Sequence, residues 1–443
     1  MKTTTRTTHA IAPLLAALTL PVLPLLTGCA STPYHKEVRN QANERYDLIQ
    51  AQMAYDQALQ AYATGQFDKA IRLIDGALAR FPERPDYLVL KGRIHLETHR
   101  LELAMSLFDQ AADADPTRAD PHYYAGIILQ RWSDHPRAAE RYRRAFDLEP
   151  TNPQYLLASA EALIASQRYD EAHHLIQPRL AQFEHNAALR QLLGQIALLQ
   201  NRPADAAHLF SQARRINPDD PMLHEELIRA AFAAGDYATC HHELQRYKPI
   251  ASSRHATTTH QPAASSATSA SGGGSGGGWG GRVDLLHLEA RCLVMLDRPA
   301  EARTLYLTLV ELQPTDVTAW VELGHVCVEV GDDRRLALAA ARILALDPQR
   351  FEGPLLKAIL ERRQGRTSQA IQSLQHSIQL APPDACWPHV LLGQILEEQG
   401  RADEARQCYV RALGAEPGNR QARERLERLE GTAFAAESGI HQP

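Results

Sequence analysis

Prolines at a fixed spacing constrain the fold of this chain more than any other feature. Two series of prolines have a spacing of 34 residues or a multiple of 34, and the second series is offset from the first. The first series is Pro82, Pro116, Pro150 and Pro218, and the second is Pro314, Pro348 and Pro382. A constant period of this length is the signature of a repeat array, in which each small unit buries its apolar face only against its neighbours. A chain of 443 residues can therefore fold without one large central core.

Each period has the pattern of two helices joined by a turn. When the proline is numbered position 32, a small residue falls at position 8, alanine at 20 and a large apolar residue at 24. In residues 85–118 these are Gly92, Ala104 and Phe108. Two apolar-periodic segments of about a dozen residues flank a polar or glycine-containing turn, as expected for helices. Small residues let the two helices approach closely, and the residue at 24 fills the space beside them. The expected fold class is all-α.

This pattern resembles the tetratricopeptide repeat (TPR) family over about three quarters of the chain. The resemblance implies a right-handed superhelical solenoid of about ten helix–turn–helix repeats. Two units depart most from the pattern, because Glu184 replaces the proline of one and Ile228 replaces the small residue of another. These departures concern local packing and not the fold. The ten units are residues 51–84, 85–118, 119–152, 153–186, 187–220, 221–254, 283–316, 317–350, 351–385 and 386–419.

The N-terminal residues have the pattern of a secretory signal. Lys2 and Arg6 precede an apolar run over residues 11–26, which is interrupted by prolines and is short for a membrane-spanning helix. The run ends in Leu-Thr-Gly-Cys, which resembles the bacterial lipobox. That resemblance implies removal of a signal peptide at residues 1–28, a diacylglyceryl thioether on Cys29 and acylation of its amine. An ordinary cleaved signal, with Cys29 present by chance, is the alternative.

The residues after Cys29 bear on location. Ala30 and Ser31 follow it. In the lipoproteins that this segment resembles, an aspartate at that place favours retention in the inner membrane. In a Gram-negative organism, its absence indicates the outer membrane. Together with the lipobox, this predicts a lipid-anchored protein of the cell envelope, at the outer membrane and facing the periplasm.

The rest of the chain divides into expected segments. The Ser/Thr/Gly-rich insertion is either a loop extruded from one continuous solenoid or a linker between two sub-solenoids. The apolar sequence from Val283 to Leu296 favours the loop, because it would otherwise be an exposed end. Trp279, inside the glycine run, is a candidate anchor. The expected segments are a tether and N-terminal capping helix (29–50), repeats 1–6 (51–254), the insertion (255–282), repeats 7–10 (283–419), and a C-terminal capping helix with a frayed tail (420–443).

Composition and motifs exclude several functions. A net charge of −5, without a basic stripe, argues against nucleic-acid binding. The chain has no phosphate-binding loop, dinucleotide fingerprint or nucleophile elbow. His224, Glu225 and Glu226 begin like a zinc-protease motif that lacks its second histidine. We therefore expect no enzymatic activity, cofactor, metal or small-molecule substrate.

The pattern of cysteines favours a structural role over a catalytic or metal-binding one. Cys240 replaces the alanine at position 20, so we interpret it as a small buried apolar residue. Five cysteines remain beyond Cys29, and an odd number cannot all pair within one chain. A disulfide between Cys386 and Cys408 within the tenth repeat is one pairing that the sequence leaves open.

The family resemblance also implies a partner-binding surface. In TPR proteins the first helices line a concave groove through positions 2, 5, 9, 12 and 13. Aromatic residues and arginine are enriched in binding surfaces, although some of these side chains could instead cover neighbouring repeats. The lysine/asparagine clamp for a terminal carboxylate is missing, since no unit has lysine at position 5 or asparagine at position 6. The predicted groove residues are Tyr55, Tyr62, Arg93, Tyr123, Arg131, Arg229, Phe232, Arg291, His325 and Trp387.

Together these features predict a membrane-anchored scaffold without catalytic activity. Cys29 would bind the membrane, and the groove would bind an extended or helical segment of a protein partner. Assembly of pili, secretion, polysaccharide export and envelope complexes are the settings that analogy with the fold suggests. The alternative is a periplasmic holdase that escorts exported polypeptides, which would bind many unfolded segments weakly.

Overall fold

The computed structural model describes residues 33–258, Trp279 and residues 282–437, and within these the side chains of 36–249, 279 and 282–430. The expected signal peptide at 1–28, the lipidation site Cys29 and most of the expected insertion lie outside the described residues.

All regular secondary structure in the described residues is helical, which confirms the all-α fold class. Helices α1 to α20 are the first and second helices of the ten TPR-type repeats, and α21 follows the last repeat. A short 3₁₀ helix, Gln177–Arg179, follows α8. In chain order α1 to α21 are Pro33–Ala63, Phe67–Leu78, Pro85–Glu97, Leu101–Ala114, Asp120–Arg131, His135–Leu148, Pro153–Ala165, Tyr169–Ile176, Ala187–Leu199, Pro203–Ile216, Pro221–Ala233, Tyr237–Thr258, Val283–Met295, Pro299–Leu312, Val317–Val330, Asp333–Leu346, Glu352–Arg363, Thr367–Leu380, Trp387–Glu398, Ala402–Ala415 and Arg420–Glu437.

The helix pairs pack through the repeat positions that the sequence singles out. Gly92 on α3 lies against the ring of Phe108 on α4, so closely that a Cβ at Gly92 would be 2.5 Å from Phe108 Cε1. Gly194 faces Phe210 in the same way. Ala104, at position 20, has no exposed surface. The small residue at position 8 and the large one at position 24 thus fill one shared space between the helices of a repeat.

The turn between the two helices has one backbone conformation throughout the array. Position 15 of every repeat has a positive φ, between 56° and 79°. Glycine adopts this left-handed region without strain, whereas other residues do so at a cost. Five repeats have glycine here and five have another residue; in chain order these are Gly65, His99, Ser133, Gln167, Asn201, Gly235, Asp297, Gly331, Gly365 and Gly400.

The chain divides into two compact units, with the boundary between Trp132 and Ser133. In the first unit, buried apolar side chains of α1–α5 cluster around Ile74 and around Phe108.

The second unit contains α6 to α21. One apolar cluster of its described residues includes Tyr306 and buried residues from both sides of the insertion, from Ile228 to Leu360. Helices α12 and α13 therefore pack against each other, although the insertion separates them in sequence. Other clusters include one around Tyr409 and one around Phe210.

Two helices extend beyond the limits that the sequence suggested. Helix α12 continues through Pro249 to Thr258. The residues after this proline are mainly Ala, Ser, Thr and His, and the glycines begin only at residue 272, so helix-breaking glycine is absent from the extension. Helix α21 continues to Glu437, into the segment where the sequence suggested a frayed tail. Its last turns contain alanine, a strong helix former.

None of the helices in the described residues combines the length and the apolar character needed to cross a membrane.

Candidate partner-binding surface

The ten predicted groove residues all lie on first helices of repeats, as the repeat numbering requires. In the first unit, Tyr55 and Tyr62 lie on α1, Arg93 on α3, and Tyr123 and Arg131 on α5. The remaining five lie in the second unit: Arg229 and Phe232 on α11, Arg291 on α13, His325 on α15 and Trp387 on α19.

In the first unit, Arg93 on this surface lies between two tyrosine rings. The guanidinium carbon of Arg93 lies 4.8 Å from the ring centre of Tyr62 and 5.3 Å from that of Tyr124. These are cation–π distances. The Nε of Arg93 is buried without a hydrogen-bond partner among the described residues. Arg93 therefore packs against both neighbouring repeats, which is the alternative role that the sequence left open.

Tyr124 was not predicted as a site residue. Its ring stacks on Phe108 with centres 5.3 Å apart and lies 5.6 Å from the ring of Tyr123. Burial raises the pKa of its hydroxyl. Tyr124 occupies position 6, which the groove rule omits, so only the packing against Arg93 identifies it.

Arg131 and Tyr55 each make one defined contact. Arg131 is exposed, and its Nη1 donates a hydrogen bond to the carbonyl of Leu96 at 3.3 Å. The ring of Tyr55 lies 5.1 Å from that of Tyr87. Burial is the main reason that the pKa of Tyr55 is raised.

In the second unit, Phe232 and Arg291 form another cation–π pair, with the guanidinium carbon 4.9 Å from the ring centre. The ring of Tyr237 lies 5.5 Å from that of Phe232, nearly edge-on. Arg291 and His325 are exposed, and 54% of Trp387 is accessible to solvent. These residues present the polar and aromatic chemistry expected of a protein-binding surface.

Arg229 belongs to a network of charges beside α13. Arg282 donates to both carboxylate oxygens of Glu225, at 2.8 and 3.1 Å, and also to Asp284. The hydroxyl of Tyr247 donates to the same glutamate at 2.9 Å. The hydrogen bond from Arg282 is the main reason that the pKa of Glu225 is lowered. Arg229, whose side chain is 62% exposed, lies at the edge of this network, 3.5 Å from Glu225.

A cavity of about 380 Å³ is lined by residues of α17 and α19 and by Leu374 of α18. Its apolar walls come from both first helices, and the guanidinium groups of Arg362 and Arg363 are at its side. Arg362 donates to Gln394 at 2.9 Å and pairs with Glu398, and Arg363 donates to Asp333 at 2.9 Å. The lining residues are Ala358, Ile359, Arg362, Arg363, Leu374, Leu391 and Ile395.

The sequence contained the signal for this cavity. Arg362 and Arg363 occupy positions 12 and 13 of the ninth repeat, the same positions as Tyr62 and Arg131 in other repeats. The groove rule therefore includes them. What the sequence could not show is that the apolar side chains beside them leave an open volume.

The described residues contain no group of three His, Cys, Asp or Glu side chains that could hold a metal ion. The five cysteines within the described residues are buried free thiols, including the pair Cys386 and Cys408. Burial raises the pKa of Cys327 and of Cys386 to about 11. Such thiols are poor nucleophiles, because the thiolate is the reactive form.

Comparison with known proteins identifies the repeats. Profiles of the tetratricopeptide repeat match residues 55–119, 133–196, 192–239 and 389–419. The chain therefore contains tetratricopeptide repeats. The profiles match by sequence alone, and they agree with the helix pairs described above.

Individual relatives match over limited segments. The chain is 24% identical over 157 residues to the type IV pilus assembly protein PilF of Pseudomonas aeruginosa, covering 35% of this chain and 62% of that protein. It is 36% identical over 81 residues to the protein adenylyltransferase fic-1 of Caenorhabditis elegans, covering 17% of this chain and 15% of that protein. The solved structure of Pseudomonas aeruginosa pilF has a TM-score of 0.36 at 19% identity, covering 55% of this chain and 97% of that one. Of the two curated proteins, the pilus assembly protein and the adenylyltransferase, the chain spans 62% and 15% of the length, which is less than two thirds in both cases.

Proposed function

We propose that this chain, an array of tetratricopeptide repeats, is a non-enzymatic scaffold of the bacterial cell envelope, bound to a membrane through a lipid on Cys29. Its first helices bind segments of partner proteins. The observation that carries this proposal is the cavity beside Arg362 and Arg363, which combines apolar walls with two guanidinium groups. Ligand pockets typically have this anatomy and a volume of roughly 300–1,000 Å³.

The lining of the cavity indicates the chemistry of the partner. Ile359, Leu391 and Ile395 favour an apolar side chain as the anchor. Arg362 and Arg363 already bond to acidic side chains, but each guanidinium has five N–H donors. The remaining donors suit a carboxylate or backbone carbonyls of the bound segment. A short extended or helical segment with an apolar residue beside an acidic one fits both features.

The membrane tether is supported by the sequence around Cys29. Each buried CH₂ of a lipid chain contributes about 0.8 kcal/mol, so two or three acyl chains give a stable anchor. The 24% identity to a type IV pilus assembly protein over 157 residues supports a role in assembling envelope structures. With Ala30 and Ser31 after the cysteine, the proposed location is the outer membrane, facing the periplasm.

Copurification from gently solubilised membranes tests the binding proposal. The test variants are Leu391→Arg, which puts a charge into the cavity, and the milder Trp387→Ala at an exposed position of the same helix. The matched control is Leu338→Arg on the second helix α16, where the side chain is 50% exposed. Far-UV circular dichroism and thermal unfolding must match wild type for a variant to be used.

The expected result is a small set of proteins that Leu391→Arg loses and Leu338→Arg retains. Partners unchanged by Leu391→Arg and Trp387→Ala would refute the binding surface. A broad set of exported proteins, weakly bound, would instead support the holdase. Separately, Cys29→Ala should move the protein from the membrane to the soluble fraction, and retention at the membrane would refute the lipid anchor.

A further inference from the structure

Specific side-chain contacts join helices α12 and α13 across the insertion, which the sequence alone did not indicate. The carboxylate of Glu289 on α13 is 2% exposed, and it accepts hydrogen bonds from Trp279 Nε1 at 2.6 Å, Gln245 at 2.6 Å and Lys248 at 3.1 Å. Lys248 also lies over the Trp279 ring, 5.5 Å from its centre. Trp279 thus joins the end of the insertion to both flanking helices.

Two cysteines meet at the same junction. Cys240 on α12 and Cys292 on α13 have no exposed surface. Their sulfur atoms lie 3.0 Å apart, although the residues are 52 positions apart in sequence. Both belong to the apolar cluster around Tyr306. The thiol of Cys386, by contrast, donates to a carboxylate, that of Glu416, at 2.8 Å.

The geometry points to a structural disulfide between Cys240 and Cys292 that joins the two sides of the insertion. A disulfide needs a sulfur–sulfur separation of about 2.05 Å, so the two side chains must approach by about 1 Å. This inference concerns the fold of the second unit, and it depends neither on the proposed partner nor on the membrane tether.

The bond would form by thiol–disulfide exchange with an oxidant that itself carries a disulfide, such as oxidised glutathione or a protein oxidant. One cysteine thiolate attacks the oxidant and expels one of its sulfurs as a thiolate. The second cysteine thiolate then attacks the first cysteine's sulfur in the mixed disulfide and expels the remaining sulfur of the oxidant as a thiolate. The two cysteines lose two protons and two electrons, and the oxidant's disulfide becomes two thiols.

Burial determines when this exchange takes place. In the folded chain both sulfurs are inaccessible, and the neighbouring thiol and burial raise the pKa of Cys240. The folded pair therefore neither reacts with an oxidant nor, once joined, with a reductant. The bond forms while the chain folds, before α12 and α13 close over the sulfurs.

A cut in the insertion tests the proposal. The full chain receives a site for a specific protease in place of residues 264–270, is refolded from the reduced, denatured state in a glutathione redox buffer, and is then cut. On a denaturing gel without reductant, the two fragments should migrate as one species, and with reductant as two. Mass mapping should find one peptide pair containing Cys240 and Cys292.

The controls replace single cysteines. Cys240→Ala and Cys292→Ala should each give two fragments without reductant, whereas Cys386→Ala should still give one. Alanine at residue 240 restores the residue found at position 20 in most repeats, so that variant keeps the packing. Refolding exposes every thiol to the oxidant, so each cysteine has the chance to pair. Two fragments from the wild type without reductant, or a linked peptide pair containing another cysteine, would therefore overturn the inference.

Discussion

Replacing Gly92 by alanine should destabilise the first unit through one defined overlap. The added Cβ would lie 2.5 Å from Cε1 of Phe108 and 2.9 Å from Cδ1 and Cζ. The Phe108 ring has no exposed surface and stacks on Tyr124. Moving the ring away from the added Cβ would disturb its stack with Tyr124, which in turn contacts Arg93 on the candidate surface.

The magnitude follows from two opposing effects. Overpacking a filled core typically costs about 1–3 kcal/mol, and replacing glycine by alanine inside a helix gains up to about 1 kcal/mol. Gly76→Ala on α2 is the matched control, because a Cβ added at Gly76 would have nothing within 4 Å of it. Its substitution should be neutral or stabilising. Subtracting the change in the free energy of unfolding of Gly76→Ala from that of Gly92→Ala removes most of the helix-propensity gain. The remaining destabilisation, due to overpacking, should be about 1–3 kcal/mol.

Repeat arrays need not unfold in one step, so the assay should be local as well as global. Urea unfolding followed by circular dichroism gives the overall change, and hydrogen exchange of peptides from α3 and α4 gives the local free energy of opening. If Gly92→Ala is as stable as Gly76→Ala in both measurements, close packing between positions 8 and 24 does not constrain the fold.

Three further predictions concern individual groups. With pKa values of about 11, Cys327 and Cys386 should be alkylated at pH 8 about a hundredfold more slowly in the native than in the unfolded chain; equal rates by mass spectrometry would contradict this. Because Arg282 lowers the pKa of Glu225, the ionised carboxylate of Glu225 should stabilise the fold above the ordinary carboxyl pKa, and this stabilisation should be lost as the pH falls through the lowered pKa. The melting temperature of Glu225→Gln should therefore depend less on acid pH than that of wild type. Parallel curves of melting temperature against pH would refute the coupling. Trp279→Phe, which removes the indole donor to a buried carboxylate, should lower the free energy of unfolding by about 1–3 kcal/mol, and an unchanged urea midpoint would show that the anchor contributes nothing.

The repeating part of the fold was predictable because its packing is local. A small residue at position 8 and a large one at position 24 occur in the same 34-residue unit, and Gly92 lies against Phe108 as that spacing implies. The position of Trp279 was not predictable in this way. A lone aromatic residue in a glycine run belongs to no period, and its partner Glu289 is identified only by the folded contact.

The candidate site was predictable in its positions and not in its shape. The repeat numbering places all ten predicted groove residues on first helices, and it also covers Arg362. It cannot distinguish a side chain that covers a neighbour, such as Arg93, from an exposed one, such as Trp387. That difference depends on the side chains of the next repeat, and Tyr124 illustrates this because it binds Arg93 from a position outside the rule.

The left-handed turns have a consequence for how such an array yields under mechanical load. A residue other than glycine in this conformation costs roughly 1–2 kcal/mol, and repeats 2 to 5 carry such residues in succession: His99, Ser133, Gln167 and Asn201. Repeats 8 to 10 all have glycine there. Since each repeat is held only by its neighbours, a chain pulled from its ends should rupture first among repeats 2 to 5. Glycine substitutions at those four turns would then move the breaking point without altering any of the ten candidate groove residues.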